Sequence, residues 1–509
     1  MAPWRCKHLQ PVWILAVTVA LVVSTPAGNA REATEPTYEE AECWFPLYRD
    51  DRSECGYLTV LENHKRPDGR RLQLAVAILR STNAVHYEDP VVVINGGPGG
   101  ALDLTQQGLA TWRSVIGQLP AWQQRDVILL EQRGAGRSEP NLDCAEIRNA
   151  NRSILQQTTN PAGAADKLYA AMADCFSRLI AEGNDLSSYT SVEIVGDLAD
   201  LRKALGYNSW NIYGPSYGSR IALTAMRDRL DGLRSAVLDS VVPIEADIAG
   251  FGWRRTIAAL EKALNACAGD DGCRGGPTQG AEAFQRMMRE YNERPVTLHQ
   301  RPAGEDAAID VVVDGIMLNE IMIDTVAADP GSINYLLGSI QDKAPTALDW
   351  LADYMINKYG SGYGVSEGVF YSVLCNEEYP FADPAEIERD LAAYWQWVGI
   401  TDVEHLPKDN ANFCRHWLQG VPLSIENDPV VSEIPALLLA GEFDPLTPPE
   451  FAKATRDNLK NSFGFEFPDS GHVVAMSSIC ARSVVSAFVD NPAARPAPAC
   501  LKWARVREF

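Results

Sequence analysis

The stretch "NIYGPSYGSR" at residues 211–220 sets Ser216 between Gly214 and Gly218, directly after "WNIY" and directly before "IALTAM". A serine on a sharp strand-to-helix turn, with a glycine two residues before it and two after, fits the G-x-S-x-G nucleophile elbow. Glycine is needed on both sides because the bend crowds neighbouring backbone, where a β-carbon would clash. The turn lifts the Ser216 hydroxyl above the strand ends, and the following helix presents its N-terminus to the same point. Both features suit attack on a carbonyl.

Outward from this turn, short apolar runs rich in β-branched residues alternate with helix-like stretches between about Leu72 and Pro243: "LQLAVAIL", "PVVVIN", "DVILLEQ", "WNIYG" and "SAVLDS". That alternation predicts a mostly parallel sheet covered by helices. From Glu245 to Asp428 the texture turns helical, as in "TIAALEKALNAC", "AFQRMMREY" and "ALDWLADYMINKY". The sheet pattern returns in "IPALLLAGEFD" and "FGFEFPDSGH", and "VVAMSSICARSVVSAFV" reads as a closing helix. The expected organisation is an α/β core over residues 31–244, a largely helical lid over 245–428, and the rest of the core over 429–509.

A serine hydroxyl needs a base to take its proton and an acid to orient that base. On this architecture the chain order is Ser, then Asp or Glu, then His. Asp444 in "LLLAGEFDPLTP" and His472 in "FPDSGHVV" each follow an apolar strand, on the sheet rim expected to display Ser216. Asp239 in "VLDSVV" also ends a strand and rivals Asp444; chain order favours Asp444. His64, His86, His299, His405 and His416 have no matching context. An oxyanion needs two donors, one from the residue after the nucleophile and one from a loop after an earlier strand. Those are the backbone N–H groups of Tyr217 and, in the glycine-rich "VVVINGGPGGALD", of Gly97. The same loop carries neither G-x-x-x-x-G-K-[ST] nor G-x-G-x-x-G, so a phosphate cradle is not indicated.

The 509-residue chain carries a formal charge of −22. Its first 30 residues read as an export signal: Arg5 and Lys7, the apolar run Val12–Val23, then small residues to Ala30. That run falls short of the ~20 residues that span a bilayer, so a membrane anchor is the weaker reading. Cleavage after Ala30 removes two cations and no acids, leaving −24. Such a surface repels nucleic acid and anionic membrane and favours cationic ligands, or serves only solubility. Of the eleven cysteines Cys6 leaves with the signal; the others fall into sequence-near couples. The expected disulfides are Cys43–Cys55, Cys144–Cys175, Cys267–Cys273, Cys375–Cys414 and Cys480–Cys500, in a secreted or periplasmic protein. No C-x-x-C and no H-E-x-x-H is present, so no metal and no cofactor is expected.

Together "NGGPGG" at 95–100, "EQRGAGRS" at 131–138, "GPSYGS" at 214–219, "GEFDPLTP" at 441–448 and "SGH" at 470–472 resemble the α/β-hydrolase aminopeptidases related to proline iminopeptidase and to secreted tripeptidyl aminopeptidases. Asn95 stands where proline iminopeptidases usually have His, which moves the likeness toward the tripeptidyl branch. Glu131 stands where both groups usually have Asp. The resemblance implies an α/β-hydrolase fold and an exopeptidase acting on peptides with a free N-terminus. Such an enzyme must bind an ammonium group, which calls for carboxylates in the lid. Glu377 and Glu378 in "SVLCNEEYPF" occupy a position similar to that of the family's ammonium-binding glutamate. A secreted esterase or lipase with the same three residues, or a non-catalytic binding protein on this scaffold, are the alternatives.

Overall fold

The computed structural model describes residues 35–509 apart from 48–51, 159–160, 247, 267, 269–279, 303–306, 362–363, 384, 386–388, 390–413, 415–416 and 418–423. The expected signal at 1–30 lies outside the described residues, as do Cys267, Cys273, His405 and His416.

The apolar runs become strands: β1 (Thr37–Ala41), β2 (Ser53–Leu61), β3 (Arg71–Leu79), β4 (Tyr87–Val93), β5 (Arg125–Leu130), β6 (Trp210–Pro215) and β7 (Leu233–Asp239). A short hairpin follows, β8 (Val296–Gln300) with β9 (Ile309–Val313), and then β10 (Ala436–Gly441), β11 (Ser462–Phe467) and β12 (Arg507–Glu508). All but β8 and β9 form one ten-stranded sheet in the order β1-β2-β3-β5-β4-β6-β7-β10-β11-β12. Strands β5, β4, β6, β7, β10 and β11 run parallel, while β1, β2, β3 and β12 are antiparallel to their neighbours.

The central stretches of the parallel strands are largely apolar and buried because both faces of the sheet are covered. Alternation by twos divides them. Val92, Ile128, Ile212 and Leu438 enter one core, and Val91, Val93, Val127, Leu129, Leu437 and Leu439 enter the other. Parallel strands share one carboxyl rim, and β4, β6, β7, β10 and β11 there give way to the loops carrying residues 95–100, 216, 239–240, 444 and 472. In open α/β sheets that rim is where ligands bind.

Between β7 and β10 lie the helices Ile248–Ala266, Ala281–Glu293, Gly315–Ala328, Ile333–Gln341, Pro345–Ser361 and Glu367–Val373, with the β8–β9 hairpin among them. The closing segment read as one helix is two, Val474–Ser477 and Ile479–Asp490. Ser478 breaks it: its backbone is extended and its hydroxyl accepts the Ala481 N–H, capping the second helix. The disulfides Cys43–Cys55, Cys144–Cys175, Cys375–Cys414 and Cys480–Cys500 are formed.

Candidate active site

Ser216 lies between β6 and the helix Tyr217–Arg227 with φ 54° and ψ −128°, a conformation that only a tightly constrained turn sustains. The two flanking glycines make that turn possible. A β-carbon on Gly214 would lie 2.2 Å from the Gly218 carbonyl oxygen, and one on Gly218 would lie 2.2 Å from that of Ile94. Ser216 itself is half-buried, and its hydroxyl makes no hydrogen bond among the described residues. Tyr217 opens the helix, so its N–H has no intrahelical acceptor.

The loop after β4 closes over the serine. A β-carbon built on Gly96 would lie 2.8 Å from the Ser216 Cβ and 3.3 Å from its Oγ. Gly97 follows, exposed, at φ 114°. Gln132 holds this loop by donating to the carbonyls of Asn95 at 2.7 Å and Gly96 at 3.4 Å, and Asn95 donates to the Ala101 carbonyl at 2.6 Å. Glu131, beside Gln132, accepts the Leu102 N–H at 2.9 Å, and burial pushes its carboxyl up to about 7.

Asp444 and His472 meet directly. The His472 Nδ1 lies 2.8 Å from the Asp444 Oδ2, and an acceptor-only carboxylate there makes Nδ1 the donor, leaving Nε2 as the basic nitrogen. Asp444 is fully buried; Oδ1 accepts the N–H groups of Leu446 and Thr447, each at 2.9 Å, and Oδ2 accepts the Thr447 hydroxyl at 2.7 Å. Burial alone would push this carboxyl up, but the charge and hydrogen bond of His472, with the Thr447 bonds, hold it below its ordinary value. Burial would pull His472 down, but Asp444 outweighs it and raises the imidazole above 6.5.

Asp239 is not the partner of His472. Its buried carboxylate accepts the N–H groups of Val474 at 2.8 Å and Ala475 at 2.9 Å, and the Tyr213 hydroxyl at 2.8 Å. Its backbone carbonyl accepts the Ser216 N–H at 2.8 Å. Ser216 and the segment after His472 are therefore each one hydrogen bond from the same residue. The His472 N–H donates to the Ala327 carbonyl at 2.7 Å, which ties this loop to the helix Gly315–Ala328.

Glu377 and Glu378 lie on a π-helical turn, Leu374–Glu378, and both are buried. Glu377 accepts the Ser191 N–H at 2.5 Å and its hydroxyl at 2.7 Å, and that hydroxyl lies 2.8 Å from the Tyr217 hydroxyl. Arg220, one turn after Ser216 on the same helix, pairs with Glu377 at 3.4 Å and Glu378 at 2.9 Å. Neither Arg220 nor Ser191 figured among the sequence candidates. An arginine just after the elbow, on the helix expected to pack against the sheet, was the available signal, since a cation buried there requires a carboxylate partner. Thr447 was legible in the same sense, as a hydroxyl three residues past Asp444 in a turn.

A serine on a strand-to-helix elbow at the carboxyl rim of a parallel sheet, with a bonded Asp–His couple on the same rim, is the arrangement of a serine hydrolase. Residues 89–303 match the family described as alpha/beta hydrolase fold, and residues 405–499 match the one described as TAP-like protein. The serine protease Hip1 of Mycobacterium tuberculosis is similar at 23% identity, over 96% of this chain and 96% of that protein. The tripeptidyl aminopeptidase of Streptomyces lividans is 29% identical over 200 residues, covering 37% of this chain and 35% of that protein. A solved proline iminopeptidase of Mycobacterium smegmatis superposes with a TM-score of 0.37 at 14% identity, over 83% of this chain and 96% of that one. The chain has the α/β-hydrolase fold, is similar to serine aminopeptidases built on it, and is a serine peptidase.

Proposed function

We propose that the protein is an exported exopeptidase that hydrolyses peptides near a free N-terminus, of prolyl- or tripeptidyl-aminopeptidase type, through an acyl-enzyme on Ser216. The observation that carries this reading is the Asp444–His472 bond at 2.8 Å, joined to Ser216 through Asp239. In this mechanism His472 Nε2 takes the Ser216 proton, the alkoxide adds to the scissile carbonyl, and the oxyanion is met by the N–H groups of Tyr217 and Gly97. The imidazolium then protonates the leaving amine, and water hydrolyses the ester by the same route. Asp444 keeps the tautomer throughout.

Recognition of the ammonium falls to Glu377 and Glu378. Both carboxyl groups are buried beside the helix that Ser216 opens, and carboxylates buried in the lid are what binding an ammonium calls for. The insert at 245–428 acts as the lid that sets peptide length, and residues 1–30 direct export. The formed disulfides support an oxidising destination.

The test compares free and N-acetylated fluorogenic substrates bearing one residue, proline or a tripeptide, with a p-nitrophenyl ester alongside. Free peptides are expected to be cleaved and acetylated ones spared; equal rates defeat the aminopeptidase reading, and ester-only turnover replaces it with an esterase. Ser216→Ala should lower kcat by about 10⁴-fold or more. Unchanged cleavage by that variant removes Ser216 from the mechanism.

A further inference from the structure

Asp239 ends β7 and Ser240 follows it; β7 lies between β6, which leads to Ser216, and β10, which leads to Asp444. Residue 239 pairs with Pro215 of β6 on one side and Leu439 of β10 on the other. The Ser216 N–H donates to the Asp239 carbonyl at 2.8 Å, and the Ser240 N–H to the Leu439 carbonyl at 2.9 Å. Their side chains reach the opposite way. The Val473 N–H donates to the Ser240 Oγ at 2.8 Å, the Val474 N–H to the Asp239 Oδ1 at 2.8 Å and the Ala475 N–H to Oδ2 at 2.9 Å. The three N–H groups that follow His472 thus end on two adjacent residues, one of which also holds the nucleophile's amide. The Tyr213 hydroxyl, on β6, steadies the carboxylate from behind at 2.8 Å.

The conformation held by these bonds is an unfavourable one. Val473 has φ 58° and ψ 73°, a region in which a β-branched residue is an outlier. Ser216 and Ser240 have φ 54° and 61°. Left-handed backbone at non-glycine residues persists where the surroundings over-determine it, and such residues cluster at working sites. At Val473 the over-determination is the Asp239–Ser240 pair. Released, residue 473 would relax toward negative φ and swing the adjoining His472 backbone with it.

We infer that Asp239 and Ser240 are positioning residues: by holding Val473 in its left-handed conformation they set the reach of the His472 imidazole toward the Ser216 hydroxyl. This rests on the reading of Ser216 as nucleophile and His472 as base. An asparagine at 239 keeps the shape and one acceptor but turns an amide N–H toward a backbone donor or the tyrosine hydroxyl, so the clamp loosens without leaving a void.

The experiment measures the second-order rate of serine labelling by a fluorophosphonate probe, which requires an activated Ser216 but no particular peptide, with circular dichroism and melting temperature recorded alongside. Folded Asp239→Asn should label about 100-fold more slowly, the cost of roughly an ångström of misplacement. Ser240→Gly, which keeps the left-handed backbone accessible while removing one clamp bond, should label about tenfold more slowly. Adding Val473→Gly to Asp239→Asn should restore about tenfold of the lost rate, because glycine occupies φ 58° without strain. A merely structural Asp239 lowers the melting temperature, leaves the labelling rate of folded protein unchanged and gains nothing from glycine at 473; that result overturns the inference. If Asp239→Asn does not fold, Ser240→Gly decides by the same criterion. Wild-type protein that takes no more probe than Ser216→Ala defeats the nucleophile reading as well, whereas labelled wild type with equally fast variants defeats the inference alone.

Discussion

At His472 opposing forces set the working pH. Burial favours the neutral ring, the Asp444 carboxylate favours the charged one, and Asp444 prevails, with Asp239 adding to it. In the proposed mechanism the base acts only when neutral, so activity is expected to fall as pH drops through a value above 6.5. The acid limb of kcat/KM for the free enzyme is therefore expected to lie above 6.5, read from a pH profile on an uncharged-side-chain peptide. Asp444→Asn removes the larger of the two attractions: it should shift that limb downward and lower kcat by about 10⁴-fold through loss of the tautomer. A limb below 6.5 in the wild type, or one that does not move in the variant, contradicts the role given to Asp444. The sequence showed Asp444 and His472 through their place after apolar strands, but not what Asp239 does. Strand-end position is shared by both aspartates, and only the fold tells which carboxylate faces an imidazole and which faces backbone N–H groups.

Among the elements, the helix Ser191–Leu205 is pinned to the turn after β2 by a charged cluster distinct from the site. Arg133, fully buried, is gripped by Asp197 at 2.8 and 2.7 Å and donates to the carbonyls of Glu62 and Ser188. His64 lies against the same helix, its Nδ1 2.5 Å from Glu193 and its Nε2 3.3 Å from Asp200. Burial lowers the His64 pKa, but Asp200 and Glu193, with Asp197, raise it to about 9 against the opposing Arg133. A pKa raised in the fold contributes stability that is complete below 6.5 and lost as pH rises through about 9. With some solvent screening this amounts to about 2 kcal/mol. The melting temperature should fall by about 2–4 °C between pH 6.5 and 9.5 for this reason, and His64→Gln should flatten that part of the profile. A second element-scale expectation concerns Cys375–Cys414, which anchors the turn bearing Glu377 and Glu378 across a separation of 39 residues. In the chain-entropy picture a loop of that length contributes about 4 kcal/mol. Cys375→Ala with Cys414→Ala should therefore lose a comparable stability in denaturant melts and raise KM for free-amine peptides more than it lowers kcat. Most strands were legible because apolar runs buried on both faces leave no alternative. The edge strands β1 and β12, and β2 beside β1, were not read: "TYEEA" is acidic and exposed, and it becomes a strand by pairing with β2 beside the Cys43–Cys55 bridge.

At the scale of the whole molecule, the change of texture at Glu245 and its reversal after Asp428 made the inserted helices visible, whereas the β8–β9 hairpin within them is too short and too half-exposed for its alternation to register. Nor could composition show which carboxylates in that acid-rich insert turn inward, because burial of Glu377 and Glu378 depends on Arg220 arriving from the core. What composition does set is the long-range field. A chain of charge −22 carries a net negative long-range field, and screening lengths shrink from about 30 Å at 0.01 M salt to about 8 Å at 0.15 M. Encounter with a peptide carrying Lys or Arg side chains besides its terminal ammonium is accelerated by that field, and encounter with an acidic peptide is slowed. Salt should thus lower kcat/KM for the basic peptide and raise it for the acidic one, with kcat changing little for either. Steering of this kind moves rates by about tenfold or more across that salt range. The comparison uses paired tripeptide substrates identical but for the charged residue, assayed at fixed pH from 0.01 to 0.5 M sodium chloride. If both respond alike, the acidic surface serves solubility and has no part in substrate capture. If they diverge as the charges require, the field that keeps the protein apart from its own kind also draws cationic N-termini toward Glu377 and Glu378.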